Sequence, residues 1–188
     1  MSEEAQNPAE VAMRHWVERM VVGLDLCPFA RRVVRAQLIR YVLWEGTGWA
    51  GLAAVAHEEL MELAENAEGY ETVLILAPAL SRFEDFLDGV ALIDGLIVDL
   101  ELEGVVQVAH FHPQYRFAGV PADAVSNHTN RAPVPAFHLL READVARAVA
   151  SHPDAAGIPA RNVARLEALG EVGIRRVLDA EMPLESEA

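Results

Sequence analysis

The sequence predicts an α/β fold, with α+β as its variant: a small three- to four-stranded sheet with helices packed on it, followed by a helical C-terminal region. Three observations carry this. Apolar residues recur at helical spacing in several long segments, short runs of strand formers alternate with them, and glycine or proline marks the joins. Hydrophobic residues make up 52% of the 188 and charged residues 23%, a mix with enough apolar material for a packed core.

Met13, Trp16, Val17, Met20 and Leu24 mark a first helix, with Pro8 in its opening turn and Gly23 as its stop. Residues 36–44 read as a strand, 46–51 as a glycine-rich turn, and Leu52, Val55, Ala56, Leu60, Leu63 and Ala67 as a second helix. Thr72 to Ala77 is an apolar run of strand length. Ser81 with Glu84 forms a capping-box pattern opening a helix that Gly104 closes. A strand over residues 105–112 follows, ended by Pro113. The long crossover makes this strand and the Thr72 run parallel, with a ferredoxin-like arrangement as the alternative. Residues 114–135 read as a loop. Helices resume near Ala136, Asp144 caps a second one that ends at His152-Pro153, and residues 159–169 form another before Gly170. Residues 8–179 are expected to form one domain between a flexible N-terminus (1–7) and a flexible acidic tail (180–188).

Composition narrows the function. The net charge of −14 argues against nucleic acid and against anionic membrane surfaces. No apolar run approaches the ~18 residues of a spanning helix, and the acidic N-terminus lacks signal or transit features, so the expected location is the cytoplasm. One cysteine excludes an internal disulfide. There is no lysine, so Schiff-base and Walker A chemistry are excluded, and any cation in a site is an arginine.

The chemically distinctive residues gather in two stretches, 23–31 and 110–142, which are expected to meet at one concave surface near the end of the last strand. Cys27 precedes Pro28, which would put the thiol at a helix N-cap, where N–H groups and the dipole favour a thiolate; a buried cysteine is the plainer alternative. His110 and His112 share one strand face, with His112 at the C-terminal end where open sheets place their sites. His110 reads better as a half-buried residue bonded to backbone. The run Asn127 to Arg131 is polar and lies in a loop long enough to suggest function. At helical spacing His138, Arg141 and Glu142 share one face. The G-x-G-x-x-G match at residues 46–51 lacks the downstream acidic residue of a dinucleotide site.

The strings from Val22 to Ala30, Phe111 to Ala118 and Thr129 to Pro135, with His138-Leu139-Leu140-Arg141-Glu142 and Asn162, resemble the bacterial domain of unknown function 1415 family. The resemblance spans residues 11–169 and supplies no catalytic roles. It implies that Cys27, His112, Asn130, Arg131, His138, Arg141, Glu142 and Asn162 belong to the family pattern, and that His110, His128 and the glycine run do not.

The expected function is a small thiol-dependent enzyme acting on an anionic small molecule. Cys27, His112, His138 and Glu142 would be catalytic, and Asn130, Arg131 and Arg141 would hold substrate. One alternative is a divalent-metal site using Cys27, His112, His138 and Glu142. The other is a non-catalytic binding or assembly module.

Overall fold

The computed structural model describes residues 7–65 and 69–179. The acidic tail, the first six residues and Ala67 lie outside them. Helix α1 (Pro8–Trp16) opens with Asn7 as N-cap, its side chain accepting from the Ala9 N–H at 2.9 Å, and with Pro8 at its first position. The chain continues as a π-turn (Val17–Val22) rather than running straight to Gly23. A Cβ on Gly23 would stand 2.3 Å from the Arg19 carbonyl oxygen, so only glycine fits this wide turn. Then follow α2 (Ala30–Arg35), β1 (Ile39–Leu43), α3 (Trp49–Ala64), β2 (Thr72–Leu76), α4 (Phe83–Asp99), β3 (Val106–Phe111), a 3₁₀ turn (Val125–Thr129), β4 (Ala136–Arg141), α5 (Glu142–Ser151) and α6 (Ile158–Asp179), kinked at Gly170. The α/β class and the helical C-terminal region are as the sequence predicts.

The sheet order is β1-β2-β4-β3. β1 and β2 are parallel, and β4 runs antiparallel to both β2 and β3. This corrects one sequence expectation. Residues 136–141 form a strand and not a helix, so β2 and β3 point the same way but are separated by β4. Helical spacing therefore does not bring His138, Arg141 and Glu142 together. The short motif Ala-Phe-His-Leu-Leu-Arg fits both periods, and burial between two ladders decides it.

Three cap assignments also change. Helix α4 has Arg82 at its N-cap with no side-chain cap bond, so Ser81 does not cap it. It ends at Leu100, before the positive φ of Glu101 (56°) and Gly104 (77°). Arg141, not Asp144, is the N-cap of α5, and Glu142 and Asp144 sit in its first turn, where carboxylates meet the positive helix end.

Alternation along the strands separates two faces. One carries Val73, Ile75, Phe137, Leu139 and Val106, and α3 and α4 cover it with Leu52, Leu60, Phe86 and Ile93. The other carries Leu74, Leu76 and Ala136, and α1, the π-turn and α6 cover it with Met13, Trp16, Met20, Leu166 and Ile174. Gly89 lets α4 approach closely, since a Cβ there would lie 2.8 Å from the Phe137 ring. Among the described residues no helix is long and apolar enough to cross a membrane.

The segment between β3 and β4 is an ordered loop pinned by side chains. Asn127 is fully buried; its Oδ1 accepts from the Phe117 N–H at 3.1 Å and its Nδ2 donates to the Pro121 carbonyl at 2.8 Å. Asn130 Nδ2 donates to the His110 carbonyl at 3.1 Å, and its own carbonyl accepts from the His112 N–H at 3.1 Å. Removing a buried group that satisfies backbone on both sides costs ~1–3 kcal/mol. Asn127→Ala is therefore expected to lower unfolding free energy by about that amount in a urea titration; no change in midpoint would show that the loop is held by other contacts.

Candidate functional site

The second sheet face is only partly covered. Beyond Leu74, toward the start of β2, the helices part and leave a cavity of about 780 Å³ over the sheet. Its floor is Thr72, Leu74, His138, Leu140, Gln107 and Ala109. Register explains the opening. His138 lies opposite Leu74 on one side and Ala109 on the other, and the single methyl of Ala109 leaves space above the imidazole. One wall is Trp16, Val17 and Val21, with Trp16 packed on Phe111 at 5.1 Å between ring centroids. A second wall is the Cys27–Ala30 turn with Val33 of α2. A third is α5, through Asp144, Val145, Ala148 and Ser151. Of the two stretches singled out in the sequence, Cys27–Ala30 of the first and Phe111, His138, Leu140 and Arg141 of the second line this surface, which lies toward the start of β2 and along β3 and not, as expected, at the C-terminal end of β3.

Helix α6 positions the Cys27 turn. Asn162 Nδ2 donates to the Leu26 carbonyl at 2.7 Å, and Arg165 donates to the Leu24 carbonyl. Phe29 stacks edge-on against His152 at 5.8 Å. Cys27 is not an N-cap: Phe29 holds that position for α2. Burial pushes the thiol pKa up; the Phe29 and Ala30 N–H groups pull it down by less, and the Asp25 carboxylate adds to the rise. The resting group in the cavity is the neutral thiol.

His138 is also neutral. Burial pushes its pKa down to about 4. Its Nε2 lies 2.6 Å from Thr72 Oγ1, and the same hydroxyl donates to the Leu139 carbonyl at 2.7 Å. The cavity interior therefore carries no charge. Charge is confined to the mouth, where Arg32, Arg141 and Arg147 face Glu71 and Asp144. Arg32 and Arg147 are largely exposed, which marks this side as the opening. Arg32 pairs with Glu71 and Arg147 with Asp144. Arg141 is the buried member of the set, its side chain 12% exposed. Its Nε donates to the Leu63 carbonyl at 2.7 Å and its Nη1 lies 3.5 Å from Asp144. Its Nη2 has no partner among the described residues.

The remaining sequence candidates lie elsewhere. His112 is fully buried on the opposite sheet face, against Phe83 and Phe86. Its Nε2 lies 3.0 Å from the Leu80 carbonyl and its Nδ1 accepts from the Gln114 N–H at 3.0 Å, so both nitrogens are used by backbone. His110 shares that face, as expected, but its buried Nδ1 has no partner among the described residues, so the expected backbone bond is not made. Asn130 and Arg131 tie down the loop, Arg131 through the Tyr115 carbonyl at 3.1 Å. His128 meets Glu171 of α6 at 3.0 Å. Glu142 opens α5, its N–H bonded to the Val105 carbonyl at 2.9 Å. Among the described residues no three His, Cys, Asp or Glu side chains are close enough together to hold a metal ion. The set Cys27, His112, His138 and Glu142 is divided because His112 and His138 lie on opposite faces. Sequence reading missed Thr72, Trp16, Arg32, Glu71 and Arg147, which line the cavity. Only the i, i+3 spacing of Asp144 and Arg147 carried any signal.

Two measurements follow from these protonation states. The unfolded chain protonates His138 near 6.5, and the folded chain does not until about 4. Its contribution to stability is full above pH 6.5 and is lost as pH falls toward 4. The midpoint of thermal unfolding should drop over that interval, and His138→Gln should shrink the drop; an identical drop in the variant contradicts the assignment. For Cys27, alkylation by iodoacetamide at pH 7.5 should run at least about tenfold slower than in the urea-unfolded chain, and should still be rising above pH 9. A fast reaction that levels off below pH 8 would show a stabilised thiolate instead.

A family model described as a protein of unknown function (DUF1415) matches residues 9–176. No curated protein and no solved structure matches the chain significantly. With most of its length covered, and with the Cys27 turn, β4 and Asn162 all inside the matched region, the chain belongs to the DUF1415 family.

Proposed function

We propose that this protein binds a small molecule with an apolar body and one anionic group in the cavity above His138. The observation that carries the reading is the separation of character within one site. The interior is apolar and uncharged, while a part-buried arginine with an unengaged Nη2 stands at the opening. A volume of about 780 Å³ lies within the range of ordinary small-molecule sites. Arginine is the side chain suited to a carboxylate or phosphate, since its planar fork can offer paired N–H donors. The three arginines at the mouth outnumber its two carboxylates, in a chain whose net charge is −14. The local excess of positive charge favours an anion where the rest of the surface repels it.

A thiol-dependent enzyme is the second reading, favoured by Cys27 and His138 lining the same cavity. Burial weighs against it on both sides, because it keeps the thiol protonated and leaves the imidazole too weak a base to take that proton near neutral pH.

Medium-chain carboxylates are the direct probe. Titrating decanoate into the full chain by calorimetry should show saturable binding, and decanol should bind at least about tenfold more weakly. Arg141→Met should remove most of that difference, whereas Arg131→Met, at the loop outside the cavity, should leave decanoate affinity unchanged. Equal affinity for decanoate and decanol in the native chain would sink the proposal.

A further inference from the structure

The contact between Thr72 and His138 determines which way the imidazole can bond. A hydroxyl has one proton. The Leu139 carbonyl can only accept, so at 2.7 Å it takes that proton from Thr72 Oγ1. The 2.6 Å contact between Thr72 Oγ1 and His138 Nε2 must then run the other way, with Nε2–H donating to the hydroxyl oxygen. A neutral imidazole carries one N–H. The proton is on Nε2, so Nδ1 is left as an acceptor, and it has no partner among the described residues. The strands hold this arrangement. Leu139 is the immediate neighbour of His138 on β4, and Thr72 stands diagonally across the β2–β4 ladder, opposite Leu140. Both side chains therefore meet on the cavity floor without help from a mobile element. Trp16 stands in the wall, and its buried Nε1–H has no hydrogen-bond partner among the described residues.

From this geometry we infer that His138 is a specificity-determining residue: through Nδ1 it selects ligands that carry a hydrogen-bond donor, a hydroxyl or an amide N–H, on the apolar body. The inference rests on the binding role proposed above and adds the ligand class, which is a hydroxylated or amide-bearing acid in place of a plain one. The floor acceptor and the arginine at the mouth then bind opposite ends of one molecule, and Thr72 is the positioning residue that keeps the imidazole in the accepting tautomer. A ligand offering only an acceptor at the floor meets a lone pair there and loses the water that would otherwise satisfy Nδ1.

The test uses the full chain with decanoate and a series of decanoates carrying one hydroxyl at successive positions, all measured by calorimetry. At least one hydroxylated acid should bind about three- to tenfold tighter than decanoate, the gain of one neutral hydrogen bond. That gain, read in each protein as the ratio of the hydroxylated acid's affinity to that of decanoate, should vanish in His138→Phe and shrink in Thr72→Val, where the ring is free to turn. Ring ¹⁵N chemical shifts of the native chain at pH 7 should show a protonated Nε2 and a bare Nδ1; this readout needs neither ligand nor variant, so a His138→Phe that fails to fold does not spare the inference. A proton on Nδ1 overturns it. Decanoate that binds with no hydroxylated acid binding tighter, or a gain that survives in His138→Phe, overturns it while leaving the binding role intact. No binding by any acid in the series overturns the binding role as well.

Discussion

Residues Ala136–Arg141 hydrogen-bond to β2 along one edge and to β3 along the other, and the site depends on that double ladder. A strand inserted between two others has no freedom of register, since a slip of one residue would carry Phe137 and Leu139 out of the core beneath α3 and α4. The same constraint sends His138 to the opposite face, beside Thr72 and Ala109, and places Arg141 at the strand's end. There the guanidinium reaches back to the Leu63 carbonyl and α5 begins immediately. One six-residue strand thus supplies the floor acceptor, the cation at the mouth and the starting point of a wall.

The electrostatics of the site follow from how far each group sits from water. Cys27 and His138 are desolvated enough for burial to dominate their titration, and it drives both toward the neutral form from opposite directions. The charged groups lie where Arg32 and Arg147 meet solvent, and they occur as pairs. Glu71 has its carboxyl held below the ordinary range, chiefly by its hydrogen bond from Arg32. Such an arrangement suits recognition of a ligand with unlike ends better than proton transfer, which needs a group titrating near the working pH.

Much of the polar density that stands out in the sequence satisfies backbone in a long connection. A loop between two strands of a sheet cannot pair its own amides as a helix does, so side chains must do it. Asn127, Asn130 and Arg131 bond to the Phe117, Pro121, His110 and Tyr115 backbone, and His112 uses both ring nitrogens the same way. Asn162 does it at a distance, holding the Cys27 turn from α6.

Local pattern was enough to find α1, α3, α4, β1, β2 and β3, because each has one dominant period, and it brought out Cys27, whereas His138 and Arg141 stood out through a helical spacing that the strand overturns. It failed at residues 136–141, where six residues are too few for periodicity to separate strand from helix and long-range pairing decides. It also failed at every site residue whose role depends on a neighbour distant in the chain. Thr72 looks like a strand residue until β4 lies beside it, and Arg32 and Glu71 look like solvated charges until α2 folds over the start of β2. Which chemistry is available was written in the sequence, in one cysteine, no lysine and a handful of histidines. Which of those groups share a cavity, and in which protonation state, was decided only by the tertiary structure. Strand order sets the face each side chain takes, and burial sets its charge.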